Sequence, residues 1–176
     1  GLDNIDVPAC RARGMQVIPA TGANALSVAE YVIATAMVLL RGAYVASAAV
    51  AGGQWPRNAL SNGREIHGKT LGLVGFGSIG QLTAGLARAM GMQVQAFDAM
   101  MDQDHPAFAQ AGARCAGLDE VISMSDVVSL HVPLVDSTRG LFNAERIAAM
   151  KPGAVLINTA RGGIIDEVAL AAALRD

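Results

Sequence analysis

The hydrophobic pattern changes character near residue 70. Ahead of it, residues 14–20 (Gly-Met-Gln-Val-Ile-Pro-Ala) read as a short strand after a turn, and Thr21 to Asn24 as a loop. A long apolar helix is expected from Ser27 to Ala51, ending where Gly52-Gly53 makes further helix costly. Residues 54–69 are polar, contain Pro56, Gly63 and Gly68, and read as an extended connector. From Thr70 onward, strand-length apolar runs alternate with helical periodicity. Strands are expected at Leu71 to Phe76, Gln93 to Asp98, Val127 to Val132 and Ala154 to Asn158. Helices are expected at Ile79 to Met90, at 106–111 with Asp104 as cap, at Leu118 to Met124, at Asn143 to Met150, and from the Asp166 cap through Leu174. Such alternation predicts a parallel sheet covered on both faces, an α/β doubly wound fold of the Rossmann type. The strands are continuous apolar runs, as burial on both faces requires.

Composition narrows the classes. An apolar fraction of 52% with 16% charged residues describes a globular chain, and its 176 residues are enough for one core. A net charge of -2 without a basic stripe argues against nucleic acid as a partner. Cys10 and Cys115 stand far apart with no metal or disulfide spacing, so two free thiols in a reducing cytoplasm are expected. The apolar stretch Tyr31 to Ala51 approaches membrane-span length, but Arg41 in its middle would cost roughly 2.5–3.5 kcal/mol in a bilayer. Its Ala, Gly and Ser content suits a helix packed in protein or at an interface, and no membrane partner is expected.

The chemistry concentrates at Gly75-Phe76-Gly77-Ser78-Ile79-Gly80. A G-x-G-x-x-G sequence alone is weak, but here it follows the strand Leu71 to Val74 and opens the helix from Ile79. That is where a dinucleotide pyrophosphate rests on N–H groups at a positive helix end. Gly75 permits the tight turn, Gly77 admits phosphate to the backbone, and Gly80 lets helix and strand approach. Asp98 lies at the end of the next strand, about 20 residues on, where a carboxylate accepts from the adenosine ribose hydroxyls and repels a 2′-phosphate. No Lys or Arg follows it closely, so NAD is the expected cofactor rather than NADP.

Further motifs carry a family resemblance over nearly the whole chain: Gly1-Leu2-Asp3-Asn4-Ile5-Asp6, Asn24 to Glu30, Gly68 to Gly72, Ser125 to Leu134, Met150-Lys151-Pro152-Gly153, and Asn158-Thr159-Ala160-Arg161-Gly162-Gly163. With these the chain resembles the D-isomer-specific 2-hydroxyacid dehydrogenases, which include phosphoglycerate, glyoxylate, formate and D-lactate dehydrogenases. The resemblance implies that residues 1–23 are the end of a substrate domain with its hinge, and residues 24–176 an NAD-binding domain. It implies that Arg161 is catalytic, a guanidinium holding the carboxylate of a 2-oxo acid and polarising its carbonyl. It places Thr159 and Ala160 beside the nicotinamide, His131, Val132 and Pro133 beside the adenosine, and the Gly1 N–H on the substrate carboxylate. Ser78 stands where many relatives have Arg, so the phosphate contact there falls to a hydroxyl or backbone group.

The implied reaction is hydride transfer between NAD(H) and a small 2-hydroxy or 2-oxo acid. The resemblance puts the acid/base histidine and its carboxylate partner further along than residue 176, which leaves Arg161 as the reacting group of this chain. His131 belongs by its motif to the cofactor, and His67 and His105 read as solvated loop residues. Phosphoglycerate is the first substrate expected, with glyoxylate, hydroxypyruvate and sulfolactate-type acids as alternatives. A function of another class, an NAD-sensing co-repressor on the same fold, is the competing reading. The apolar surface of 27–51 with Trp55 is expected to form a homodimer interface.

Overall fold

A computed structural model describes residue 2 and residues 4–175. Five parallel strands form one sheet: β1 (Thr70–Val74), β2 (Gln93–Phe97), β3 (Arg114–Cys115), β4 (Val127–Leu130) and β5 (Val155–Asn158), in the order β3-β2-β1-β4-β5. The central β1 pairs with β2 from Thr70↔Gln93 to Val74↔Phe97 and with β4 from Leu71↔Val127 to Val74↔Leu130. The sheet runs outward in both directions from β1 and β4, so the strand order reverses between them. Open α/β sheets place ligands at the carboxyl ends of the strands flanking that point.

The helices are α1 (Val7–Ala12), α2 (Ala25–Arg41), α3 (Ser47–Ala51), α4 (Ser78–Ala89), α5 (Pro106–Gln110), α6 (Leu118–Met124), α7 (Ala144–Ala148) and α8 (Glu167–Ala173). One face of the sheet packs Val32, Ile33 and Ala36 of α2, Ala84 and Ala87 of α4, and Phe108 of α5 on Leu71, Leu73 and Val94. The other packs Val121 and Ile122 of α6, Ile147 of α7 and Phe142 on Val74, Val128 and Leu130. Both faces are therefore dry, which is why β4 is buried at every position. Gly72 is the exception in β1 that proves necessary: a Cβ there would overlap the Ser125 hydroxyl and the Val121 side chain of α6.

Three expectations need correction. Residues 14–20 form no strand; Met15 and Ile18 are exposed and no neighbouring strand pairs with them. The expected helix 27–51 is broken: Gly42 adopts φ 68° and caps α2, a short 3-10 turn Ala43–Ala46 follows, and α2 and the segment Ala43–Ala51 meet at 65°. Among the described residues no single helix is long and apolar enough to cross a membrane. The cap of α5 is His105, not Asp104, with its imidazole Nδ1 accepting from the Ala107 N–H. The sequence also gave no warning of α1 or of β3, whose two residues carry no apolar run. The connector 54–69 is irregular as expected, and Arg64 fastens it by donating its N–H to the Leu40 carbonyl and its guanidinium to the Gly153 carbonyl at 2.5 Å.

Candidate functional site

The glycine loop joins β1 to α4 at the carboxyl edge of the sheet. Gly75 has φ 95°, and a Cβ there would stand 2.7 Å from the His131 carbonyl carbon and oxygen, so only glycine fits. A Cβ on Gly80 would stand 2.5 Å from the Gly75 carbonyl oxygen; its absence lets the first turn of α4 sit on the loop. Gly77 differs from both. It is the N-cap of α4 with φ -69° and ψ -162°, and a Cβ there would meet nothing within 4 Å. Open space next to the amino end of a 12-residue helix is what a phosphate requires. Ser78 and Ile79 begin that helix.

Asp98 follows β2 and is half-buried. Its Oδ2 accepts from the Phe76 N–H at 2.7 Å and its Oδ1 from the Met100 N–H at 2.9 Å. A carboxylate oxygen has two lone pairs, so each retains one for a ribose hydroxyl. The sequence assigned Asp98 to the ribose alone; the structure adds that it braces the glycine loop. Asp98 also borders a hollow of about 320 Å³ with Phe97, Met101 and Cys115.

The remaining predicted positions converge on one cleft of about 270 Å³. Ile79 comes from α4, His131, Val132 and Pro133 from the segment after β4, and Thr159, Ala160 and Arg161 from the segment after β5. Asn24 and Val28, at the start of α2, close its other side; sequence reasoning assigned them no part in the site. Gly1 lies outside the described residues. The loop bearing Arg161 is shaped by Asn158, also missed: its Oδ1 accepts from the Ala160 N–H at 3.0 Å and its Nδ2 donates to the Arg161 carbonyl at 2.8 Å. The Arg161 guanidinium donates to the Ala160 carbonyl at 2.8 Å. Both residues belong to motifs quoted from the sequence, but nothing in a linear pattern says which member of a motif holds the others.

His131 is held by its N–H to the Val74 carbonyl at 2.7 Å, and its Nε2 lies 3.0 Å from the Ser129 hydroxyl. Burial pushes the imidazole down from 6.5 to about 4, because charge is poorly solvated there. At neutral pH it is therefore an uncharged wall of the cleft. His67 and His105 are exposed, as expected.

Two features fit a dinucleotide: the open space at Gly77, and Thr159 Oγ1, which is buried in the cleft wall without a partner among the described residues. A buried hydroxyl left unpaired is costly, and a polar ligand in the cleft removes that cost.

Residues 33–176 match the model of the D-isomer specific 2-hydroxyacid dehydrogenase, NAD binding domain. The chain belongs to this family. It is 53% identical over 176 residues to the (S)-sulfolactate dehydrogenase of Chromohalobacter salexigens, covering 100% of the chain and 56% of the relative. It is 45% identical over 171 residues to the hydroxypyruvate reductase of Thermotoga maritima, covering 97% and 54%. The NAD-dependent formate dehydrogenase of Staphylococcus aureus, solved in complex with NAD, superposes with a TM-score of 0.85 at 34% identity, covering 99% of this chain and 52% of that one. The chain thus spans about half the length of the relatives it matches. It carries the NAD-binding domain of that family, and the Rossmann-type fold expected from the strand–helix alternation is the one observed.

Proposed function

We propose that this chain, residues 24–176 forming the cofactor domain and 1–23 the end of a substrate domain, serves a cytoplasmic enzyme that interconverts a small 2-hydroxy acid and its 2-oxo acid with NAD(H). The observation that carries the reading is the convergence of the open Gly77 cradle, the orphan Thr159 hydroxyl and Arg161 along the carboxyl edge of β1, β4 and β5. When bound, NAD supplies the nicotinamide ring that exchanges hydride with the substrate C2. Gly77, Ser78, Ile79 and Gly80 hold the pyrophosphate, Asp98 the adenosine ribose, and His131, Val132 and Pro133 the adenosine side. Thr159 and Ala160 set the nicotinamide end, and Arg161 binds the substrate carboxylate and polarises the carbonyl, with the Gly1 N–H assisting. His131, uncharged and bonded to Ser129, is not the acid/base; that group comes from outside residues 1–176.

The substrate we favour carries a second anionic group on C3. Phosphoglycerate, the first expectation from sequence, has one, and so has sulfolactate, whose dehydrogenase is 53% identical against 42% for a phosphoglycerate dehydrogenase from Synechocystis. The S descriptor of sulfolactate and the D label of phosphoglycerate describe the same handedness at C2, because sulfur outranks the carboxylate in assigning the first. A panel of 2-oxo acids with NADH and full-length enzyme tests this: 3-sulfopyruvate should be reduced fastest, and a preference for pyruvate or glyoxylate would refute it. The exposed Tyr31, Leu39, Tyr44, Val45 and Trp55 support a homodimer through α2, α3 and the connector; light scattering that reports a monomer at micromolar concentration would refute that.

A further inference from the structure

Phe76 lies between the first two glycines of the loop, where the fingerprint asks for no particular residue, yet its ring, its N–H and its carbonyl are each held by the fold. Its ring is fully buried and stacks on Phe108 of α5 with centroids 4.8 Å apart and planes 8° apart. Its N–H donates to Asp98 Oδ2 at 2.7 Å. Its carbonyl accepts from Gln81 Nε2 at 2.9 Å.

A trans peptide is planar, with its C=O and N–H pointing in opposite directions. Holding one therefore aims the other. Asp98 holds the N–H of the Gly75–Phe76 peptide, which turns the Gly75 carbonyl the other way, onto the first turn of α4, where it fills the space a Gly80 side chain would need. Gln81 holds the carbonyl of the Phe76–Gly77 peptide, which turns the Gly77 N–H away from α4's side chains. That N–H has no acceptor among the described residues, and the space beside Gly77 is open. Phe76 and the Gly77 carbonyl, which accepts from the Gln81 N–H at 3.0 Å, anchor the two ends of this peptide, and glycine offers little resistance to its rotation between them; the Gln81 side chain is what holds its carbonyl in one direction.

We propose that Gln81 is a positioning residue for the cofactor: by holding the Phe76 carbonyl it aims the Gly77 N–H into the phosphate cradle. The proposal rests on the NAD-binding role of the loop. It requires a donor at position 81, not glutamine as such, and it concerns the pyrophosphate but not the adenosine.

The test uses the full-length enzyme and three ligands, NAD, ADP and adenosine, titrated calorimetrically into wild type, Gln81→Met and Gln81→Lys. Met keeps the length and helix propensity of Gln and removes the donor; Lys restores a donor. Losing one neutral hydrogen bond's worth of orientation should weaken NAD and ADP roughly fivefold to tenfold in the Met variant. Adenosine affinity should stay at its wild-type value, the melting temperature should fall only slightly as the Phe76 carbonyl loses its donor, and Lys should recover most of both losses. Unchanged NAD and ADP affinity in Gln81→Met would overturn the proposal. So would an equal loss for adenosine, or failure of Lys to recover binding while its fold is intact. Failure of the wild type to bind NAD at all would instead refute the cofactor role of the loop. Should Gln81→Met fail to fold, the Lys variant decides: wild-type stability with NAD weakened roughly fivefold or more would overturn the proposal.

Discussion

Replacing Gly77 and Gly80 by alanine separates binding from folding, because the structure gives the two glycines opposite surroundings. At Gly80 the new methyl would stand 2.5 Å from the Gly75 carbonyl oxygen, a backbone atom that cannot swing aside. Alanine gains about 1 kcal/mol of helix propensity there, but overpacking of this kind costs roughly 1–3 kcal/mol and displaces α4 from the loop. At Gly77 the methyl meets nothing within 4 Å, and φ -69° with ψ -162° is extended backbone open to alanine. Alanine is a poorer N-cap than glycine by up to about 1 kcal/mol, offset by about 0.4–1 kcal/mol from a less flexible unfolded chain. Gly77→Ala should therefore unfold in urea within about 0.5 kcal/mol of wild type, yet its methyl occupies the cradle and should weaken NAD at least tenfold while sparing adenosine. Gly80→Ala should lose stability first and binding with it. Urea melts and calorimetric titration on the same preparations decide the matter. Wild-type NAD affinity in Gly77→Ala, or a larger stability loss there than in Gly80→Ala, would refute the assignment of Gly77 to the phosphate.

Asp98→Ala should weaken NAD by more than the ribose contact alone, about tenfold or beyond, because the Phe76 N–H also loses its acceptor; NADP should weaken less, and titration of both cofactors measures the narrowed gap. His131 is uncharged in the folded chain and takes up a proton in the unfolded one below pH 6.5, so its burial favours folding in full above that pH and loses this contribution as pH falls toward 4. A shift of this size corresponds to about 3–4 kcal/mol, and urea melts from pH 7.5 to 4.5 should show a slope that flattens in His131→Gln. Arg161→Gln in the full-length enzyme should lower kcat/KM by about 10²–10³ with NAD affinity unchanged, read from steady-state kinetics beside NAD titration; loss of NAD binding would move Arg161 from substrate to cofactor. Residues 1–176 alone should produce no measurable NADH from any 2-hydroxy acid, since His131, the one histidine lining the cleft among the described residues, is uncharged at neutral pH and bonded to Ser129; steady turnover would place the acid/base within the chain.

Local spacing alone determined much of this protein. The apolar runs that became β1, β2, β4 and β5, the glycines of the loop and the carboxylate of Asp98 were legible because each depends on neighbours within a few residues or on a fixed offset along the chain. Burial on both faces leaves its mark directly in composition, as in the unbroken Val-Val-Ser-Leu of β4. What depends on distant partners was not legible. Residues 14–20 have a strand-like composition, but a strand exists only beside another and none lies there. The two residues of β3 look like loop and become strand because β2 offers a free edge, pairing Gln95 with Arg114. Gly42 stops α2 by entering the left-handed region, where one glycine inside an apolar stretch gives no warning. The cleft is the clearest case: Asn24, Ile79, His131 and Arg161 meet only because the strand order β3-β2-β1-β4-β5 brings the ends of β1, β4 and β5 together beside α2. The restraint of Phe76 by Asp98, Gln81 and Phe108 is equally tertiary, since a peptide plane is aimed by whatever the fold places at its two ends, and the residue it holds can be any that fits.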